Sequence, residues 1–218
     1  MGNYNDCCVV SVAFREPYVT HSNRQYETIK KDMPDLDIIR FINVLPYAEG
    51  IVKENIVERF QKSLYGFKPH AIQQAINKGY KRIIWLDPSV LPTCSMKVLF
   101  DNLDSYYVLV RRGEHPILQM CNQKTKDYFE VTKDNSYVLE HAHKHLAGTV
   151  YGFNMNDSDS KEVFELWKRS EEEGIFGTQQ DFMEGNWADE ACLALSMYKV
   201  DVRGFWIDDF TFLNQKDL

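Results

Sequence analysis

The sequence predicts a single α/β domain, residues 1–218, built on a mostly parallel, doubly wound sheet flanked by helices. Three observations predict it. The chain has 218 residues, 44% of them apolar, which is enough for one hydrophobic core. Several short runs are β-branched and apolar with no polar alternation, as strands buried on both faces are. Segments of helical spacing lie between those runs, and strands alternating with helices specify parallel pairing through crossovers. No internal repeat, low-complexity tract or linker rich in Pro, Gly or Ser interrupts the pattern.

The elements follow in order. CCVVSVAF, from Cys7, reads as a buried parallel strand. REPYVTHSNRQYETIKKDMPDL is polar, with helical spacing in its second half, and DIIRFINV is a second strand. KENIVERFQKSLYGFKPHAIQQAINKGY holds two helical patterns broken at Gly66 and Pro69, with Gly79 placed to end the second. RIIWLD is a third strand with a polar end, and SYYVLVRR is a fourth. GTVYGFNM reads as a strand, SKEVFELWKRSEEEG as a helix, and DEACLALSMYK as a helix with Asp189 near its N-cap. Short strands at KVDVRGF and WIDDF close the chain. Ligands of open α/β sheets bind beyond the carboxyl ends of strands. Chemistry is therefore expected at Phe14-Arg15-Glu16, Asp87-Pro88-Ser89 and Gly152-Phe153-Asn154.

Composition excludes several classes. Lys and Arg number 25 against 32 Asp and Glu, a net charge of -7, which argues against nucleic acid or an anionic membrane as the main partner. No uncharged apolar run approaches the ~18 residues of a transmembrane segment. The start, MGNYNDCC, lacks the basic-then-apolar pattern of a secretory leader, and Asp6 stands where a myristoylation signal wants Ser or Thr. The five cysteines, Cys7, Cys8, Cys94, Cys121 and Cys192, are odd in number and lack CxxC spacing. Reduced thiols and a cytoplasmic location are expected.

RIIWLDPSVLP carries the clearest chemical signal. A buried strand delivers Asp87 to the edge of the sheet, and Pro88, with no N–H to donate, stops the ladder. A carboxylate fixed there suits a hard divalent cation bridging phosphate oxygens. The plain alternative is an aspartate that only opens a turn.

The block FKPHAIQQAINKGYKRIIWLDPSVLP resembles the central block of nucleotide-sugar-dependent glycosyltransferases of the GT-A, Rossmann-like fold. In that family a Lys-Pro segment opens a helix, a Gly-Tyr pair follows, and a strand ends in Asp-x-Asp or a variant. HKHLAGTVYGFNM resembles the family's small-residue loop leading into a strand beside the donor sugar. FELWKRSEEEGIFGTQQDFMEGNWADEACLAL resembles its closing pattern of helix, polar loop and an acidic pair opening a helix. The similar segments cover residues 64–200. The resemblance implies a hexosyltransferase that moves a sugar from a nucleotide diphosphate donor, a UDP-hexose such as UDP-glucose, to an acceptor hydroxyl of a glycan or glycoprotein. It also implies Mn2+ or Mg2+ as cofactor. Asp87 matches the first acidic position, which holds the metal and the ribose-diphosphate. Ser89 stands at the second acidic position and brings no charge, so the resemblance leaves metal dependence open. The chain is similar in compactness to small glycosyltransferase domains of large algal viruses. So little mass points to short loops, or a partner domain of a larger protein, as the source of the acceptor site.

Each further candidate has a plain reading beside the chemical one. Asp189 and Glu190 are the candidate catalytic carboxylates, of which only one is expected to face the pocket; acids also favour a first helical turn for electrostatic reasons alone. Lys68 opens a helix at the unfavourable end of its dipole, so an anion such as a diphosphate is expected beside it; an ordinary solvated lysine is the alternative. Arg15 and His145 are further donor-binding candidates. His141, His143 and His145 alternate, but that spacing is a weak zinc signal. Gly148 and Gly152 would let backbone approach a ligand. Tyr18, Trp187 and Trp206 are candidates for stacking on uracil or sugar, or plain core. Asp208, with Asp209 beside it, is a candidate late metal ligand. The rival functions are a non-catalytic nucleotide-sugar or carbohydrate-binding module and a phosphatase of the haloacid-dehalogenase type. The second wants a general acid where Ser89 stands. A nucleotidyltransferase would want a glycine-rich phosphate loop near the first strand, and none is there.

Overall fold

The computed structural model describes residues 4–136, 144–207 and 212–215. The strands are β1 (Cys7–Ala13), β2 (Asp37–Ile42), β3 (Leu45–Tyr47), β4 (Gly50–Val52), β5 (Arg82–Leu86), β6 (Val90–Pro92), β7 (Val108–Pro116), β8 (Lys144–Asn154), β9 (Phe205–Ile207) and β10 (Phe212–Asn214). The helices are α1 (Tyr18–Asp32), α2 (Ile56–Lys62), α3 (Phe67–Asn77), α4 (Met96–Tyr106), α5 (Gln123–Tyr128), α6 (Ser158–Glu172), α7 (Gln179–Met183) and α8 (Ala188–Val200).

The main sheet has the order β2-β1-β5-β8-β7-β9. β1 pairs in parallel with β2 and β5, and β7 with β9, whereas β8 runs antiparallel to both β5 and β7. The fold is thus the expected mixed α/β class, with a mostly parallel sheet flanked by helices. Every residue of β1 and β5 is buried, which explains why neither strand alternates apolar with polar residues. Successive side chains of β5 point to opposite faces. Ile83 and Trp85 enter the core beneath α3, α6 and α8, with Phe67, Ala71, Phe164, Trp167 and Leu195. Ile84 and Leu86 enter the core beneath α1 and α4, with Ile29, Leu99, Phe100 and Leu103. Each such fully buried side chain contributes about 1.5–3 kcal/mol over leaving it in water.

Five expectations are corrected. The reversed direction of β8 carries Gly152-Phe153-Asn154 to the edge opposite Asp87, where Asn154 pairs with Arg82. Gly152 packs inside the sheet instead of approaching a ligand: a Cβ there would lie 2.9 Å from Leu109 Cβ. Pro69 does not break a helix but sits in the first turn of α3, where its missing N–H has no intrahelical partner to lose. The fourth strand begins only at Val108, because α4 takes Ser105 and Tyr106. The KVDVRGF strand is replaced by the end of α8, and strand structure resumes at Phe205. α4 itself is capped by Ser95, whose side chain accepts from Lys97 N.

The five cysteines are unbridged, and burial pushes the Cys7, Cys8 and Cys121 thiols up to about 12. Among the described residues no helix is long and apolar enough to cross a membrane.

Candidate functional site

A cavity of about 300 Å³ opens beyond the carboxyl ends of β1 and β5. One wall is aromatic: Phe14, Tyr18, Phe60, Tyr65 and Phe67. The other is polar, formed by Asp87, Ser89, Lys68, Gly148, Thr149 and Glu190, with Arg15 and Trp187 also lining it. Eight of the expected candidates, Arg15, Tyr18, Lys68, Asp87, Ser89, Gly148, Trp187 and Glu190, therefore border one space.

Asp87 is fixed by both the sheet and the chain's far segments. Its N–H donates to Thr149 O at 2.8 Å, extending the β5–β8 ladder by one step. Its Oδ1 accepts from Ser89 N at 2.8 Å, an Asx turn that shapes the loop after the strand. Gln25 Nε2 donates to Asp87 O and Val90 O, both at 2.8 Å. Gln215 closes the turn from the other side: its N–H donates to Ser89 O at 2.7 Å, and its Nε2 to Pro88 O at 2.8 Å. Pro88 is buried, while Asp87 and Ser89 stay partly exposed towards the cavity.

Lys68 is only 3% exposed, which excludes the solvated alternative. Its Nζ lies 2.5 Å from Asp189 Oδ2 and 3.1 Å from Gly148 O. The ring of Tyr65 lies 4.5 Å from the same ammonium. Burial pulls the Lys68 pKa down, but Asp189, Glu190 and Asp87 together outweigh it and hold the group above its ordinary value. Burial pushes the Asp189 carboxyl up to about 6; Lys68 opposes this and Glu190 adds to it. Both members of the pair are therefore ionised at neutral pH. Glu190, one residue on along α8, faces the cavity, and its Oε1 accepts from Gly148 N at 2.5 Å. As expected for adjacent helical residues, only Glu190 of the acidic pair lines the cavity.

The other candidates separate. Trp206 does not border the cavity; it packs on the core from β9 with Arg112 5.0 Å from its ring. Trp187 is 38% exposed and stacks near Phe182, with ring centroids 5.1 Å apart. His141, His143, Asp208 and Asp209 lie outside the described residues. His145 falls on β8, and its side chain lies outside those described. Of the aromatic wall only Phe14, as part of a strand end, and Tyr18 were expected positions. Its signal is the density of rings in FQKSLYGF, which places Phe60, Tyr65 and Phe67 within eight residues.

Among the described residues, no group of three His, Cys, Asp or Glu side chains could hold a metal ion. Asp87 offers one carboxylate at the cavity, with one of its oxygens already accepting from Ser89 N. That donor set suits a hard cation held chiefly by ligand phosphates and water, as Mg2+ commonly is, rather than an all-protein cage.

No protein-family model matches the chain, and no curated protein matches it. Solved structures similar to it are glycosyltransferases. Mouse xyloside xylosyltransferase 1 is 11% identical over 92% of this chain and 84% of that chain, with a TM-score of 0.49. A glycosyltransferase involved in glycosylation of the major capsid of PBCV-1 is 13% identical over 92% and 80%, with a TM-score of 0.49. The galactosyltransferase LgtC, in complex with donor and acceptor sugar analogues, is 14% identical over 82% and 69%, with a TM-score of 0.36. At these identities and TM-scores the chemistry has to be read from this chain's own side chains.

Proposed function

We propose that the protein is a glycosyltransferase that moves a sugar from a nucleotide diphosphate donor to an acceptor hydroxyl, with a UDP-hexose such as UDP-glucose as donor and a glycan or glycoprotein as acceptor. One observation carries the reading. A strand-end carboxylate, Asp87, and a helix-start carboxylate, Glu190, border a single cavity whose remaining wall is aromatic. Such a cavity offers a flat apolar surface for a base, a polar turn for a diphosphate and a carboxylate for a sugar or acceptor hydroxyl.

In this reading the base lies against Tyr18, Phe60 and Phe67. The diphosphate lies at the Asp87-Pro88-Ser89 turn, with Arg15 bringing positive charge from an exposed position. The donor sugar extends towards Gly148 and Glu190. Glu190 holds a sugar hydroxyl or accepts the proton of the acceptor hydroxyl, and water exclusion by the aromatic wall strengthens both contacts. Mn2+ or Mg2+ would be held by Asp87, with Asp208 the second expected ligand; when bound, such a cation neutralises charge on the leaving diphosphate.

The test is thermal denaturation with UDP, UDP-glucose and GDP-sugars, with and without Mn2+, together with slow donor hydrolysis. A ligand at 100 times its Kd should stabilise the fold by about 2.7 kcal/mol. If no nucleotide diphosphate moves the Tm, the proposal fails. Stabilisation without hydrolysis or transfer would make the protein a binding module.

A further inference from the structure

The ammonium of Lys68 is turned towards protein oxygens. It bonds Asp189 Oδ2 at 2.5 Å and Gly148 O at 3.1 Å, while being 3% exposed. Asp189 is itself held: its main-chain O accepts from Trp167 Nε1 at 2.8 Å. Gly148 is gripped on both sides of its residue. Its carbonyl accepts from Lys68 and, at 3.3 Å, from Trp85 Nε1. Its N–H donates to Glu190 Oε1 at 2.5 Å. A Cβ at position 148 would lie 2.7 Å from Lys68 Nζ, closer than a carbon and an ammonium can pack, so glycine is required for the grip to close.

We infer that Lys68 is a positioning residue: with Asp189 it locks the Gly148 backbone, and the Gly148 N–H in turn orients the Glu190 carboxylate on the cavity wall. The inference rests on the proposed role of Glu190. It reassigns Lys68 from the ligand to the frame. A diphosphate anchor would set nucleotide affinity, whereas a residue that orients Glu190 sets the rate. A carboxylate displaced by about 1 Å can lose about 10²-fold in rate.

The test uses Lys68→Met, Lys68→Arg and the double variant Lys68→Met/Asp189→Leu. The double variant removes both charges of the Lys68–Asp189 pair together, whereas Lys68→Met alone strands the Asp189 carboxylate, which is 4% exposed, without its cation. Three quantities are read: the Kd of UDP with Mn2+ by calorimetry, the rate of UDP-glucose hydrolysis, and the Gly148 amide proton of 15N-labelled protein. In the wild type that amide, donating to a carboxylate, should resonate downfield and exchange slowly. In the double variant the expected result is a UDP Kd within about threefold of wild type, hydrolysis slower by about 10²-fold, and a Gly148 amide shifted upfield and exchanging faster. Lys68→Arg should recover part of the rate. A UDP Kd raised tenfold or more with the Gly148 amide unmoved would overturn the inference and return Lys68 to the diphosphate. An unmoved amide, or an unchanged hydrolysis rate, would overturn it too. If wild-type protein binds no nucleotide, the glycosyltransferase proposal falls, while the Gly148 amide still decides whether the lock exists.

Discussion

Two buried polar clusters start on the same helix, two residues apart, and end differently. Lys68 of α3 pairs with Asp189 of α8 beside the cavity. His70 of α3 pairs with Glu171 of α6 away from it, Nε2 to Oε2 at 2.5 Å. Both clusters are deeply buried, and both pack against a glycine that has no room for a Cβ, Gly148 in the first and Gly66 in the second. In the second, the remaining oxygen of Glu171 accepts from Ser63 Oγ at 2.6 Å, so the carboxylate is consumed by protein on both sides. In the first, the pair is used to hold a backbone segment, and a further carboxylate, Glu190, stands on a cavity wall. The difference teaches that burial and pairing of a carboxylate do not by themselves mark a site. What marks it is a second acid brought to a cavity wall by the same frame.

Four changes would break or sharpen that contrast, the largest first. Glu190→Gln should lower transfer or donor hydrolysis by about 10²–10⁴-fold while the Tm stays near wild type; a variant that kept its activity would remove Glu190 from the chemistry. Glu171→Ala should do the reverse. It leaves His70 and Ser63 without their partner and should cost about 3 kcal/mol of stability in urea unfolding, with the activity per folded molecule unchanged. Loss of activity without loss of stability would mean the two clusters are coupled.

The third concerns pH. Asp189 faces Lys68, Glu190 and the buried Tyr151, and its carboxyl is pushed up to about 6. Below pH 6 it takes up a proton and loosens Lys68, so activity should fall about fivefold between pH 6 and 5, steepening towards about tenfold per unit below that. The stability sign is opposite. The folded state binds this proton more tightly than the unfolded chain, whose reference value is 3.8, so Asp189 adds stability as pH falls from about 6 towards 4. Activity and Tm measured on the same samples should therefore part company; a Tm that drops in step with activity would refute the assignment. The smallest effect is expected from Ser89→Asp, which adds a second carboxylate at the turn and should tighten Mn2+ binding a few-fold by calorimetry.

The sequence made β1 and β5 legible because strands covered on both faces lose their alternation, and it made Asp87 legible because Pro88 ends the strand that presents it. The spacing of Met96, Leu99, Phe100 and Leu103, the buried face of α4, carries a helical signal too. The direction of β8 was not: a period of two residues reads the same from either end, so nothing in GTVYGFN says which end meets Asp87. Nor was the pairing of Lys68 with Asp189, 121 positions apart, or that of Ser63 with Glu171, 108 apart. A charged residue carries no local mark of its distant partner. The aromatic wall was written in the rings of residues 60–67, but rings predict core as readily as cavity.

Gln215 bears on how the protein comes into being. Its backbone and side chain bond Ser89, Pro88 and, at 3.0 Å, His21 O, and the neighbouring β10 pairs with β6 just beyond the turn. The loop that presents Asp87 is therefore latched by a segment more than a hundred residues later. On the ribosome, a chain made only as far as α8 holds β1, β5 and β8 while the Asp87-Pro88-Ser89 turn still lacks that latch. Competence for ligand would then arrive only once the Gln215 segment is made, after most of the sheet is in place.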